Sequence, residues 1–156
     1  MFVLAVFSSV RGGPSQLVKI MKCKEIVMGQ NVEFVFSNEK AVSAAQMMKD
    51  LEIGFVPVCD LENKKVVGTL TDRDIAIRIV AEGRSAEIPV AEVMTTAPIF
   101  CNSDDDIGQA RELMGSHQVS RVIVLDNSGR LAGVISLADI TEDEASGRTL
   151  HEIKRP

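Results

Sequence analysis

The sequence predicts an α/β fold, more exactly α+β, in which one β-α-β-β-α unit occurs twice. Residues 55–74 are matched in order, spacing and residue class by residues 121–139. The helical pattern AAQMM at 44–48 recurs at the same offset as ARELM at 110–114. The middle strands are rich in Val and Ile with little alternation, which is typical of a sheet covered on both faces. Because a half of about 60 residues buries little surface alone, we expect the halves to pack on each other.

The same elements are predicted in each half, in the same order. A short apolar or β-branched strand opens each half, at 32–36 and 99–101. Polar residues at 37–39 and 103–106 then predict caps for helices whose apolar residues recur at helical spacing. Two further strands follow, and the second of them passes through a glycine into another helix. The polar turns between these strands lie at 61–65 and 127–130.

The chain is predicted to contain a leader, two repeats and a tail. The predicted ranges are 1–17 for a flexible leader, 18–83 for the first repeat, 84–145 for the second repeat with its linker, and 146–156 for a polar tail. The apolar start MFVLAVFSSV is shorter than the roughly 20 residues that span a bilayer. It also lacks the basic region and cleavage site of a signal peptide. A leader outside the fold and a natural start at Met21 both account for it.

Composition argues against several classes of function. A net charge of −5 and the absence of Trp and Tyr are unlike a nucleic-acid-binding protein. The cysteines Cys23, Cys59 and Cys101 are widely spaced, which indicates reduced, part-buried thiols in a cytoplasmic protein. The residues supply no catalytic triad, Cys–His pair or P-loop, so we do not expect an enzyme. The acidic run 104–106 is interpreted as complementing a helix dipole, with a metal site as the less favoured alternative.

Each repeat carries a Ser/Thr-x-x-Asp motif where a strand turns into a helix. The motifs end the segments GTLTDRD (68–74) and GVISLAD (133–139). The hydroxyls of Thr71 and Ser136 can accept hydrogen bonds from the first helical turn or contact a phosphate. The carboxylates of Asp74 and Asp139 can accept hydrogen bonds from both hydroxyls of a ribose. The same residues also form capping boxes that need no ligand, and the two interpretations are compatible.

These paired motifs, in register inside a β-α-β-β-α repeat, resemble the cystathionine-β-synthase-type (CBS) domain in its tandem form, the Bateman module. The resemblance covers roughly residues 18–145. It implies two repeats packed about a pseudo-two-fold axis, with no obligatory cofactor and no metal. It also implies an adenine nucleotide (AMP, ADP or ATP) as regulatory ligand, with NAD or S-adenosylmethionine less favoured. A homodimer that acts on an unknown effector protein is expected by the same resemblance.

The resemblance also implies roles for residues outside the two motifs. A basic residue ahead of a middle strand reaches the phosphate in this family, and Arg121 holds that place in the second repeat. Phe55 holds it in the first repeat and cannot bind phosphate, although Arg73 is able to compensate. His117 is a further candidate for phosphate contact. Arg121 and His117 also have interpretations without a ligand role, as a surface arginine and a structural histidine.

The two ligand clefts are therefore expected to differ. Ser136, Asp139 and Arg121 are predicted to form the better cleft, and Thr71, Asp74 and Arg73 the weaker one. By the family resemblance, the backbone of the first strand in each repeat holds the adenine. The residues that this implies are Val32, Glu33, Ile99 and Phe100.

A different class of function stays open beside ligand sensing. The chain also suits a structural or protein-interaction module whose clefts are vestigial. The lack of a basic residue at Phe55 is the feature that supports this alternative. A ligand that binds only the native state raises its melting temperature, which separates the two hypotheses.

Overall fold

A computed structural model describes residues 20–141, so the predicted leader at 1–17 and tail at 146–156 lie outside the described part. The elements confirm the predicted order β-α-β-β-α in each half. They are α1 (Cys23–Val27), β1 (Val35–Phe36), α2 (Ala41–Asp50), β2 (Phe55–Cys59), β3 (Val66–Thr71), α3 (Asp72–Ile75), a π-helical turn (Ala76–Val80), a 3-10 turn (Val90–Glu92), β4 (Thr95–Thr96), β5 (Phe100–Asn102), α4 (Ile107–His117), β6 (Arg121–Leu125) and β7 (Leu131–Ser136). A last helix, α5, is described over 137–141.

The strands form two small mixed sheets with equivalent pairing. The first has the order β1-β2-β3-β4 and the second the order β5-β6-β7. In both sheets the first two strands are parallel and the next pair is antiparallel. Phe55 lies opposite Thr71 in the first sheet, and Arg121 lies opposite Ser136 in the second. The predicted repeat therefore holds at the level of individual residue pairs.

Each half has its own hydrophobic core, and each core takes in a segment from the start of the other repeat. The first core includes Val90 and Val93, which lie at the start of the second repeat. The second core includes Cys23 and Val27 of α1, which lie at the start of the first repeat. We call residues 20–27 and 88–94 the crossed segments. Each repeat therefore relies on a crossed segment to complete its core.

Backbone hydrogen bonds hold both crossed segments at the N terminus of a helix. In the second half, the amide of Ile107 donates to the carbonyl of Met21 at 3.0 Å, and the amide of Cys23 donates to Asp105 at 2.9 Å. The first half has the equivalent pattern. There the amides of Ala41 and Val90 donate to the carbonyls of Ile88 and Glu39, both at 2.8 Å.

The crossed segment also changes how α2 is capped. The polar residues 37–39 were expected to cap this helix, but it begins at Ala41 without a side-chain cap. The carbonyl of Ile88 accepts the amide of Ala41 and replaces the missing side chain, because any acceptor satisfies a free helical amide. In the second half the expected cap is confirmed, since Asp106 accepts from the amide of Gly108 at 2.7 Å.

Two glycines lie where the crossed segments touch the sheets. A Cβ added at Gly133 would lie 2.3 Å from the Cβ of Val27. A Cβ added at Gly68 would lie 2.7 Å from the carbonyl oxygen of Thr95, just beyond the second crossed segment. Since real Cβ contacts do not come this close, both positions need a residue without a side chain.

All three cysteines are free and buried. The Sγ atoms of Cys23 and Cys101 lie 3.6 Å apart, where α1 meets β5. The hydrogen bond with Cys23 and burial together raise the pKa of the Cys101 thiol. Burial raises the pKa of Cys59. Neutral, buried thiols behave as small apolar side chains of the core.

We expect Gly133→Ala to lower the free energy of unfolding by about 1–3 kcal/mol, because the new methyl group collides with Val27. Urea denaturation followed by circular dichroism measures the loss. Gly115→Ala is the matched control, since Gly115 lies in α4 with nothing within 4 Å of an added Cβ. That control is expected to gain about 0.4–1 kcal/mol. Equal effects of the two changes would contradict the close packing of α1 on β7.

Candidate functional site

Two cavities are lined by residues from both repeats. The first cavity has a volume of about 610 Å³ and the second about 580 Å³. Both volumes lie in the range of small-molecule sites. Phe55 and Arg121 line both cavities, so the two spaces share a wall at the start of β2 and β6.

The first cavity brings together the motif of the first repeat and candidate residues of the second. Thr71, Arg73 and Asp74 lie on one side of it. Ile99, His117 and Arg121 lie on the other. The sequence predicts instead that Arg121 shares a cleft with Ser136 and Asp139. In the structure, both candidate phosphate contacts of the second repeat face the first motif.

The second cavity has a different electrostatic character. Val32 and Glu33 line it, together with Glu52, Val134 and Arg121. Among the described residues that line it, Arg121 is the one basic side chain, and Glu33 and Glu52 are also in its lining.

Three of the predicted site residues lie outside both cavities. Neither Ser136 nor Asp139 is among the described lining residues, although Ser136 pairs with Arg121 across β6 and β7. Phe100 lines neither cavity and is 50% exposed. The neighbouring residue Ile99 takes the expected place in the first cavity.

Both Ser/Thr-x-x-Asp motifs form capping boxes. The Oδ2 atom of Asp74 accepts from the amide and hydroxyl of Thr71 at 2.9 and 2.7 Å. The Oδ2 atom of Asp139 accepts from the same groups of Ser136, both at 2.7 Å. In each motif the backbone amide of the aspartate donates a hydrogen bond to the hydroxyl oxygen of the Thr or Ser. The capping interpretation is confirmed, and it leaves the Oδ1 atom of each carboxylate outside the box.

One residue of the site was not identified from the sequence. Arg78 places its Nη2 atom 3.2 Å from the Oδ1 atom of Asp74. It also donates to the carbonyl of Val93 at 2.8 Å and to the hydroxyl of Thr95 at 3.0 Å. The spacing of four residues between Asp74 and Arg78 was the available signal, because such residues are neighbours on a helix.

The acidic run 104–106 has structural partners. Lys24 Nζ lies 2.6 Å from Asp104 Oδ1, and this hydrogen-bonded ion pair lowers the pKa of Asp104. Asp105 accepts from the amide of Asn102 at 2.8 Å, and Asp106 caps α4. Among residues 20–141, no group of three or more His, Cys, Asp or Glu side chains is arranged to hold a metal ion. Within the same residues, no helix combines the length and apolar character of a membrane span.

The CBS domain family matches residues 23–81 and again residues 90–145. The chain therefore belongs to the CBS domain family and contains a tandem pair of these domains. Among curated relatives, the CBS domain-containing protein YhcV of Bacillus subtilis is 35% identical over 122 residues. The match covers 78% of this chain and 85% of YhcV.

Solved structures show the same fold. The crystal structure of Hypoxic Response Protein I with two coordinated zinc ions has a TM-score of 0.70 and 31% identity, and the match covers 78% of this chain and 98% of that one. The CBS domain pair of protein MJ0100, in complex with 5-methylthioadenosine and S-adenosyl-L-methionine, has a TM-score of 0.70 and 26% identity. That match covers 82% of this chain and 98% of the other. The predicted α/β fold and family resemblance are confirmed.

We expect Ser136→Ala to lower the free energy of unfolding by about 0.5–2 kcal/mol without any ligand, because it removes a helix cap. Chemical denaturation of the purified protein measures the loss. The control is Ser116→Ala, since Ser116 is exposed and bonds only to the carbonyl of Leu113 within its own helix. Its effect is expected to stay within about 0.5 kcal/mol. Indistinguishable effects of the two changes would contradict a stabilising capping box at Ser136.

Proposed function

We propose that this protein is a regulatory module that binds an adenine nucleotide between its two CBS domains and acts through a partner protein, not by catalysis. The observation that carries the proposal is the composition of the first cavity. It combines the carboxylate of Asp74 with two guanidinium groups, on Arg73 and Arg121, and with the imidazole of His117.

Each part of a nucleotide has a complementary group in the first cavity. The Oδ1 atom of Asp74 lies outside the capping box and is suited to accept hydrogen bonds from ribose hydroxyls. The guanidinium groups of Arg73 and Arg121 suit a phosphate, which they bind through several donors at once. Ile99 also lines this cavity, and its backbone is the candidate for adenine contact by the family resemblance. The volume of about 610 Å³ fits a ligand of this size.

A phosphate-bearing nucleotide (AMP, ADP or ATP) is preferred in the first cavity because both arginines line it. The lining of the second cavity includes Glu33 and Glu52 as well as Arg121, so it favours an anion less. Binding near Ser136 and Asp139 stays a prediction for that side of the molecule. The CBS pair of MJ0100, which has bound 5-methylthioadenosine and S-adenosyl-L-methionine, supports an adenosine-containing ligand. It also keeps S-adenosylmethionine as a secondary candidate. NAD stays a secondary candidate by the family resemblance alone.

We also propose that the protein is cytoplasmic and forms a homodimer. The exposed apolar side chains of Ile77 and Val80 support the homodimer. They are 48% and 73% exposed on the helix that follows β3. Such side chains on one element suit burial against a second copy of the chain. The effector is a partner protein whose identity the geometry does not define.

We expect AMP to raise the melting temperature of the protein, and Arg121→Ala to weaken AMP binding about 10- to 100-fold by removing charged hydrogen bonds to the phosphate. Isothermal titration calorimetry measures the affinity, and adenosine serves as the ligand without phosphate. Adenosine binding should respond far less to Arg121→Ala.

Arg130→Ala is the matched control, since Arg130 is exposed in the same repeat and lines neither cavity. It should leave AMP affinity unchanged. If AMP, ADP, ATP, NAD and S-adenosylmethionine at millimolar concentration all fail to shift the melting temperature, the ligand-sensing proposal is wrong. The protein-interaction module with vestigial clefts, supported by Phe55 at the basic position, would then replace it.

A further inference from the structure

Arg78 lies in a part of the helix with unusual geometry. The turn Ala76–Val80 is π-helical, and the amide of Ala81 donates to the carbonyl of Ala76, five residues back, at 2.9 Å. Wide turns of this kind within helices occur frequently at functional sites. Here the wide turn carries the arginine that reaches the first cavity's motif.

The guanidinium of Arg78 joins the motif to a crossed segment and to β4. Its Nη2 atom lies against Asp74 Oδ1 at 3.2 Å and donates to Thr95 Oγ1 at 3.0 Å. Its Nη1 atom donates to the carbonyl of Val93 at 2.8 Å. Asp74 and Thr95 both line the first cavity, whereas Val93 is fully buried in the first core. One planar group therefore connects two walls of the cavity with the core behind them.

A ribose bound at Asp74 would meet Arg78 at one oxygen atom of the carboxylate. The Oδ2 atom of Asp74 already accepts two hydrogen bonds from Thr71, so the Oδ1 atom is the acceptor available to ribose hydroxyls. Arg78 stands against that same Oδ1 atom. Asp139 differs, because among residues 20–141 no basic side chain forms an ion pair with it. Within residues 20–141, an arginine therefore stands at the carboxylate of the first motif and not at that of the second.

We propose that Arg78 is a positioning residue that couples occupancy of the first cavity to residues 93–96. A ribose that takes the Oδ1 atom of Asp74 displaces the guanidinium. Because the guanidinium is rigid and planar, its displacement also weakens the bonds to Val93 and Thr95. Binding at the cavity is then reported as loosening of β4 and the end of the crossed segment. This inference rests on the proposed nucleotide site and adds its route of regulation.

Hydrogen–deuterium exchange of the whole chain, with and without AMP, tests the coupling, and calorimetry gives the AMP affinity of each variant. In the unsubstituted protein, AMP should speed exchange at residues 93–96. In Arg78→Ala, exchange there should be fast already and unchanged by AMP, while AMP binds about two- to five-fold more tightly because the competitor is gone. Arg78→Gln, which keeps most of the side chain's packing, should shift both readouts in the same directions.

Arg84→Ala is the matched control. Arg84 also ties the region after this helix to the inter-repeat segment, through a 2.6 Å ion pair with Glu92, but it does not contact Asp74. Its loss should leave AMP affinity and the AMP-dependent exchange unchanged. If Arg78 served only to stabilise the fold, its replacement would instead weaken AMP binding and lower the free energy of unfolding.

The outcomes separate this inference from the proposed function. Failure of the unsubstituted protein to bind any of AMP, ADP, ATP, NAD and S-adenosylmethionine overturns the nucleotide site, and the coupling falls with it; if another of these ligands binds where AMP does not, the same comparison is made with that ligand. AMP binding that leaves exchange at 93–96 unchanged, or that weakens in both Arg78→Ala and Arg78→Gln, overturns the coupling alone. Tighter binding in both variants with loss of the exchange response supports it.

Discussion

The crossed packing of residues 20–27 and 88–94 is the constraint on which the rest of the structure depends. Each segment lies at the start of one repeat and completes the core of the other. A unit of this size buries too little apolar surface to be stable alone, and exchange of segments gives each sheet a second covered face. The backbone bonds at the start of α2 and α4 then fix where each segment lies. The two repeats therefore form one cooperative unit, and cavities between them are a consequence.

The same constraint explains why the two motifs share one backbone geometry. Gly68 and Gly133 lie beneath the incoming chain and leave room for it. The Ser/Thr-x-x-Asp turns cap the helices that follow, so the site is held in place before any ligand arrives. A preorganised site loses little entropy on binding, which increases the affinity that a few contacts can provide. The capping box thus uses the Oδ2 atom of Asp74, and the nucleotide binding that we propose would use its Oδ1 atom.

The cavities differ because the repeats differ at a few charged positions. Arg121 has Phe55 as its counterpart, and both residues stand in the wall that the cavities share. Arg73 adds a second guanidinium to the first cavity, while two glutamates join Arg121 in the lining of the second. Arg78 then links the first cavity to the inter-repeat chain. The near-symmetric backbone supports two sites of unequal chemistry, and the side chains make one of them the nucleotide site that we propose.

The sequence by itself determined the repeat, the order of elements and both capping motifs, because these depend on local periodicity and short spacings. It also identified Arg121, His117, Arg73 and Asp74 as candidates for the site. Only the tertiary structure decided that these four share one cavity, that Ile88 replaces the expected cap of α2, and that α1 packs on the distant repeat. Arg78 was missed for the same reason, since two of its three partners lie at least 15 residues further along the chain. The contacts that each crossed segment makes with the other repeat depend on how the two repeats pack together, and no local pattern in the sequence encodes that geometry.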